Sequence, residues 1–156
     1  MRWEPNERGI DYLVGRGRLD RITPRSETAE HLIREARRHL ASAAWLAGTD
    51  DASMAFVAAY DAARKALWAI LNVQGIRAKG GDGGHAVLLD ALGPQFPDHR
   101  KELRRFGWMR TVRNHIEYPD INTPSATRQD VAEAQLAAEE IVVLAEEFVR
   151  THSVGV

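Results

Sequence analysis

The 156-residue chain contains no cysteine, which excludes disulfides, thiolate zinc sites and thiol catalysis. It has little net charge, −1 at neutral pH, so the molecule as a whole exerts no pull on nucleic acid. No apolar run approaches the ~20 residues that would cross a bilayer. Its opening residues, Met1-Arg2-Trp3-Glu4-Pro5, lack the apolar stretch of a signal peptide. The expectation is a cytoplasmic protein without membrane contact. Metal motifs are missing too. There is no His-Glu-x-x-His and no paired carboxylate motif. His31 and His39 share a helix side, but no acidic ligands accompany them. The glycine-rich stretch lacks the Gly-Lys-Ser/Thr ending of a phosphate loop, and no Ser-His-Asp arrangement is apparent. No metal and no cofactor are therefore expected. Alternating apolar–polar patterns are absent as well, so the chain reads as helices throughout.

What is present is alanine at helical spacing. Residues 1–25 read as a mixed, glycine-bearing lead-in with a short helix around Glu7–Val14, and 26–152 as one helical domain. A first long helix is expected from Thr23-Pro24, with Thr23 as N-cap and Pro24 at the first helical position. Its stripe runs Ala29, Leu32, Ile33, Ala36, Leu40, Ala43 and Ala47, and Gly48 stops it. A second begins after Asp51, carries Ala55, Ala59, Ala62, Ala63, Ala66, Leu67 and Ile70, and ends at Gly75. A mobile loop is expected from Gly75 to Gly84, then a short helix from His85 to Leu92. The next helix starts near Pro97-Asp98 and is bounded by Pro119. After a loop from Pro119 to Ser125, Thr127 and Asp130 form a capping box for a last helix reaching about Arg150. Trp45 and Trp68 are expected in the core, as is Leu136. The architecture is an all-α, up-and-down bundle of four to five main helices plus a short one.

Charge is unevenly placed. From His99 to His115 there are Arg100, Lys101, Arg104, Arg105, Arg110 and Arg113 against Glu102 alone. From Asp130 to Glu147 there are acids and no Lys or Arg. The two helices either neutralise each other or leave the basic one to meet phosphates. At the end of the basic helix stand Arg110-Thr111-Val112-Arg113-Asn114-His115-Ile116-Glu117-Tyr118, a polar density that packing does not require. An RNA-cleaving site would use it, and so would a polar dimer interface. Arg110, Arg113, Asn114 and Glu117 are neighbours at helical spacing, whereas His115 lies roughly 140° around the helix from Arg110. They converge only if two copies of the helix meet across a two-fold axis, or if the helix unwinds before Pro119. Arg113 and Glu117 also suit an ordinary ion pair. Arg104, Arg105 and Trp108 would extend an RNA surface, with Trp108 stacking a base or packing in an interface. Asp61 suits a pair with Lys65 or a supporting contact to an arginine of the basic helix. His85, after Gly83-Gly84, reads as a cap or as a group fixing the loop against the bundle.

Ala59-Tyr60-Asp61-Ala62-Ala63-Arg64-Lys65-Ala66-Leu67, Leu71-Asn72-Val73-Gln74-Gly75, Gly84-His85-Ala86, Arg113-Asn114 and Glu117-Tyr118-Pro119 occur in an order that resembles the HEPN family. These are small all-helical domains of prokaryotic toxin–antitoxin and defence systems. The resemblance spans about Thr28 to Val149. It implies a homodimer and, in catalytic members, a metal-independent endoribonuclease with Arg followed four to six residues later by His. Arg110 and His115 keep that spacing, but Thr111 stands where Asn, Asp or His is usual. Arg113-Asn114 has the usual dipeptide, but Tyr118 stands where His is expected. The resemblance thus implies catalytic roles for Arg110, Arg113, Asn114, His115 and Tyr118. Asp61 and Glu117 would support them, and RNA would be the ligand. It equally accommodates a non-catalytic dimeric module, or an antitoxin partnering a nucleotidyltransferase.

Overall fold

The computed structural model describes residues 2–79, 82–122 and 125–153, with the backbone alone at 82–84. The helices are α1 (Glu7–Gly15), α2 (Ser26–Ala47), α3 (Ala52–Val73), α4 (Asp82–Leu92), α5 (Arg100–Glu117) and α6 (Arg128–His152). Two short strands, β1 (Leu19–Arg21) and β2 (Ile76–Ala78), join them, and single 3-10 turns at Gly93–Gln95 and Pro97–His99 link α4 to α5. The chain is all-α in class, with α2, α3, α5 and α6 as its main helices.

Helix α3 is buried on nearly every side, from Ala55 and Phe56 to Leu71 and Asn72. A helix apolar all round belongs in the middle of a bundle. Here α2, α5 and α6 all pack on it. The buried residues of α2 are Ala29, Ala36 and Ala43, one every seven residues. Their small side chains bring the α2 backbone close to the alanine row of α3. The Asp51 carboxylate caps α3 by accepting from the Met54 N–H at 3.2 Å. Thr127 and Asp130 form the expected box on α6. The Thr127 hydroxyl accepts from the Asp130 N–H at 3.0 Å, and the Asp130 carboxylate accepts from the Thr127 N–H at 2.9 Å. Such a cap contributes about 1 kcal/mol.

Helix α2 starts later than Thr23-Pro24. The Ile22 N–H donates to the Gly75 carbonyl at 2.8 Å, prolonging the sheet pairing. The Arg25 N–H donates to the buried Asn72 side chain at 3.2 Å. The segment before Ser26 is thus held outside the helix. Gly75 ends α3 in the left-handed region, φ 74°, and a Cβ there would meet the Ile22 carbonyl oxygen at 3.2 Å.

Four expectations are corrected. The chain is not helical throughout: β1 and β2 pair antiparallel, Leu19 opposite Ala78 and Arg21 opposite Ile76. Three residues per strand are too few to register as alternation, although Leu19, Ile76 and Ala78 do point inward. The loop expected through Gly84 ends earlier, because α4 begins at Asp82; Gly80 and Gly81 lie outside the described residues, as do positions 123 and 124 of the second loop. Trp45 is 74% exposed and Leu136 69%. Each sits two positions, some 200° of helix, from a buried alanine (Ala43, Ala134) and so faces away from the core.

The lead-in packs on the bundle. The Trp3 ring stands edge-on to Phe148 at 5.3 Å, and its indole N–H donates to the buried Gln95 side chain at 2.8 Å. Opposite charges on α5 and α6 do meet: Arg105 pairs with Glu133 at 3.1 Å. Other acids of α6 are taken by α2, where Arg37 holds Glu139 at 2.9 Å and also pairs with Glu146.

Candidate functional site

Helix α5 changes character along its inner side. Leu103, Phe106 and Met109 are buried there. At the same three–four spacing the line continues as Arg110, Arg113, Asn114 and Glu117. An apolar stripe therefore turns polar after Met109. Arg110, Arg113 and Asn114 are half-buried, while Glu117 is exposed.

The polar turns approach Tyr60, whose side chain is buried in α3. Its ring stacks on Phe106 with centroids 5.1 Å apart, and its hydroxyl lies 2.8 Å from Nδ1 of His85. Burial pushes the Tyr60 phenol up to about 12, against the opposing positive charges of Arg64, Arg113 and Arg110. The charges of three guanidinium groups thus act on one phenol. Helix α4 runs antiparallel to α5. Gly93 and Pro94 share a surface hollow with Arg100 and Arg104, and Leu89 abuts Gly107, 3.2 Å from where a Cβ would sit. One turn before Leu89 on the same helix stands His85.

The three arginines differ in their partners. Arg113 pairs with Glu117 at 2.8 Å, the ordinary i,i+4 contact. Arg64 makes a long contact with Asp61 at 3.3 Å. Arg110 has no hydrogen-bond or ion-pair partner among the described residues. A half-buried cation without a counter-charge is costly, and an anionic ligand would relieve it.

The outer side of α5 is a separate surface. Arg104, Thr111, His115 and Tyr118 are exposed there. His115 is roughly 140° from Arg110 and 160° from Arg113 around the helix. Within one chain, then, the inner set of Arg110, Arg113, Asn114 and Glu117 stands together near Tyr60, with Asp61 on the same phenol. His115, Tyr118 and Arg104 face the other way. Trp108 belongs by spacing to the stripe of Arg104, Thr111 and His115 but is half-buried, edge-on to Phe56 at 5.5 Å, and Arg105 pairs with Glu133.

Asp61 does not pair with Lys65. Lys65 instead donates to Nε2 of His39 at 2.8 Å. Burial, and then the Lys65 charge, hold the His39 imidazole below its ordinary pKa and so neutral. His85 is not a cap either. It lies inside the first turns of α4 and ties that helix to Tyr60, the loop-fixing role. No group of three or more His, Asp or Glu that could hold a metal occurs among the described residues.

Sequence reasoning passed over Tyr60, Arg64 and His85 as site residues. A trace was available: Tyr60 and Arg64 are four apart in an alanine row, where a phenol and a guanidinium interrupt an otherwise small-residue face.

No curated protein and no solved structure matches the chain. The family model of the HEPN domain, however, matches residues 29–148, which takes in α2 through most of α6 and every residue of the cluster. This protein belongs to the HEPN domain family.

Proposed function

We propose that this HEPN protein is an endoribonuclease of toxin–antitoxin or defence type, needing no metal ion, whose site is completed where two copies of α5 meet. The observation that carries this reading is the half-buried Arg110 guanidinium, which has no acidic partner among the described residues beside a phenol and two further arginines. A phosphodiester supplies the missing charge in the form guanidinium groups bind best. HEPN domains commonly dimerise. A two-fold seam along the flank of α5 that carries Asn114 and Tyr118, between the inner arginines and the outer His115, would bring the imidazole of one copy toward the arginines of the other.

In this reaction the ribose 2′-oxygen attacks the adjacent phosphorus and loses its proton to His115. The P–O5′ bond breaks, and the 5′-oxygen takes up a proton, supplied by the imidazolium or by water. The products are a 2′,3′-cyclic phosphate and a 5′-hydroxyl, with no net oxidation or reduction. Arg110 and Arg113 stabilise the charge that builds on the non-bridging oxygens. His115 suits the proton transfers because the reference imidazole pKa is near 6.5. Asn114 orients phosphate or ribose, Tyr118 positions either, and Arg104, Arg105 and Trp108 extend the RNA surface.

One observation favours a second reading. Glu117 already engages Arg113, as in a helix end that serves only an interface. The chain would then be a non-catalytic dimeric module, or the partner of a nucleotidyltransferase. Incubating RNA with the protein in EDTA, with solution mass measured on the same samples, decides between them. The endoribonuclease reading expects cleavage by a dimer that falls at least a hundredfold in Arg110→Ala and His115→Ala. A dimer that leaves RNA intact turns the choice to the module.

A further inference from the structure

Arg64 is held in an unusual way. Its side chain is only 14% exposed. The guanidinium carbon lies 4.4 Å from the centroid of the Trp68 ring, so an indole face serves as its platform. Among the described residues its one acidic partner, Asp61, is at the long distance of 3.3 Å, and its buried Nε has no hydrogen-bond partner there. An arginine of purely structural use normally has its donors satisfied when this deeply placed. Arg64 is instead set over an indole ring, leaving its fork under-used. Stacking of this kind removes side-chain freedom before a ligand arrives, so less is lost per hydrogen bond formed.

Its location adds to this. Arg64 stands one turn beyond Tyr60 on α3, and its charge acts on the same phenol as those of Arg110 and Arg113. Among the described residues, Asp61 and Glu117 are the acids paired with this group, against three guanidinium groups. Those described side chains therefore carry an excess of positive charge between α3 and the end of α5.

We propose that Arg64, resting on Trp68, is a further phosphate-binding residue that joins Arg110 on one RNA phosphate. The inference rests on the reading of this protein as an RNA-binding HEPN enzyme and names a residue from outside the motif helix. It makes the phosphate grip a property of each single subunit, spanning α3 and α5, while the two-fold seam would supply His115.

The test is binding of a fluorescein-labelled single-stranded 2′-O-methyl RNA, which lacks the attacking hydroxyl, followed by anisotropy over a range of KCl concentrations. Arg64→Met is expected to weaken binding about tenfold and to lower the salt slope by about 0.7, the share of one phosphate contact on a single strand. Arg64→Lys keeps the charge but loses the flat fork, so the slope should stay at the wild-type value with affinity in between. Arg110→Met is measured alongside. If both Arg64 variants bind like the wild type while Arg110→Met is weakened, Arg64 is no phosphate ligand and the endoribonuclease reading survives alone. Wild-type binding by all three variants removes both. Weakening by Arg64→Met with Arg110→Met unaffected also overturns the shared phosphate. Should Arg64→Met lose its helical circular dichroism, Arg64→Lys decides: affinity equal to the wild type sinks the proposal.

Discussion

The Tyr60 hydroxyl and Nδ1 of His85 lie 2.8 Å apart, so the central helix is tied to the opening turns of α4 by a phenol–imidazole hydrogen bond. The phenol is pushed up to about 12, chiefly by burial. At neutral pH the phenol is therefore protonated, and it is the donor of the pair in the imidazole tautomer that leaves Nδ1 without a hydrogen.

A pH dependence follows. The folded pKa of Tyr60, about 12, lies above the ordinary value of 10.0, so the folded state holds this proton more tightly. Its stabilising effect is complete below pH 10 and is lost as pH rises toward 12. Urea midpoints measured from pH 8 to 12 should fall more steeply for the wild type than for Tyr60→Phe. At pH 8 the Phe variant should itself be about 1 kcal/mol less stable, because the imidazole loses its donor while the ring stays stacked on Phe106. Parallel curves for the two proteins would show that the phenol is not the group responsible.

Glu102 and Glu140 face each other between α5 and α6. A hydrogen bond donated to Glu102, with burial and repulsion, raises the Glu140 carboxyl above its ordinary value. For Glu102 burial works upward but is outweighed by its hydrogen bonds to its own backbone and to Glu140, leaving it lowered. As pH falls, the pair therefore takes up its first proton on Glu140 rather than on Glu102. A raised carboxyl stabilises below its unfolded pKa and loses that effect as pH rises through the folded value. Glu140→Gln keeps a donor to Glu102 without the second charge. It should raise stability by roughly 0.5 kcal/mol or less at pH 7 and leave it unchanged at pH 4, the small size reflecting exposure. Thermal melts at the two pH values read this directly.

Arg37 bridges α2 to two carboxylates one helical stretch apart on α6, Glu139 and Glu146. Arg37→Met keeps the apolar stem and removes the bridge, leaving the carboxylates to repel. The expected cost is about 1 kcal/mol at low salt, falling toward zero in 1 M NaCl as screening takes over. A cost independent of salt would place the effect in packing.

Much of the fold can be read from residue spacing. The alanine stripes of α2 and α3, the Asp51 cap, Gly75 and the Thr127–Asp130 box are all local signals, and each works over a single turn of chain. The sheet cannot be read that way: Leu19 and Ala78 are brought together by tertiary packing, and neither strand exceeds three residues. Trp45 and Leu136 mislead because large apolar residues at the edge of a stripe look like members of it. At the site, the separation of His115 from Arg110 follows from helical angle alone. The meeting of Tyr60, Arg64 and His85 with the end of α5 is different, since it depends on which helices become neighbours.

The way Trp3 closes over Phe148 has a bearing on how the protein is handled. The stretch matching the family starts at residue 29, yet packing against the bundle starts with the third residue of the chain. A fragment trimmed to the matched stretch would strip β2 of its partner β1, bare the flank of Ile76 and lift the indole off the end of α6. Such a fragment would carry every site residue and still present fresh apolar surface to water, the condition under which a small helical domain aggregates.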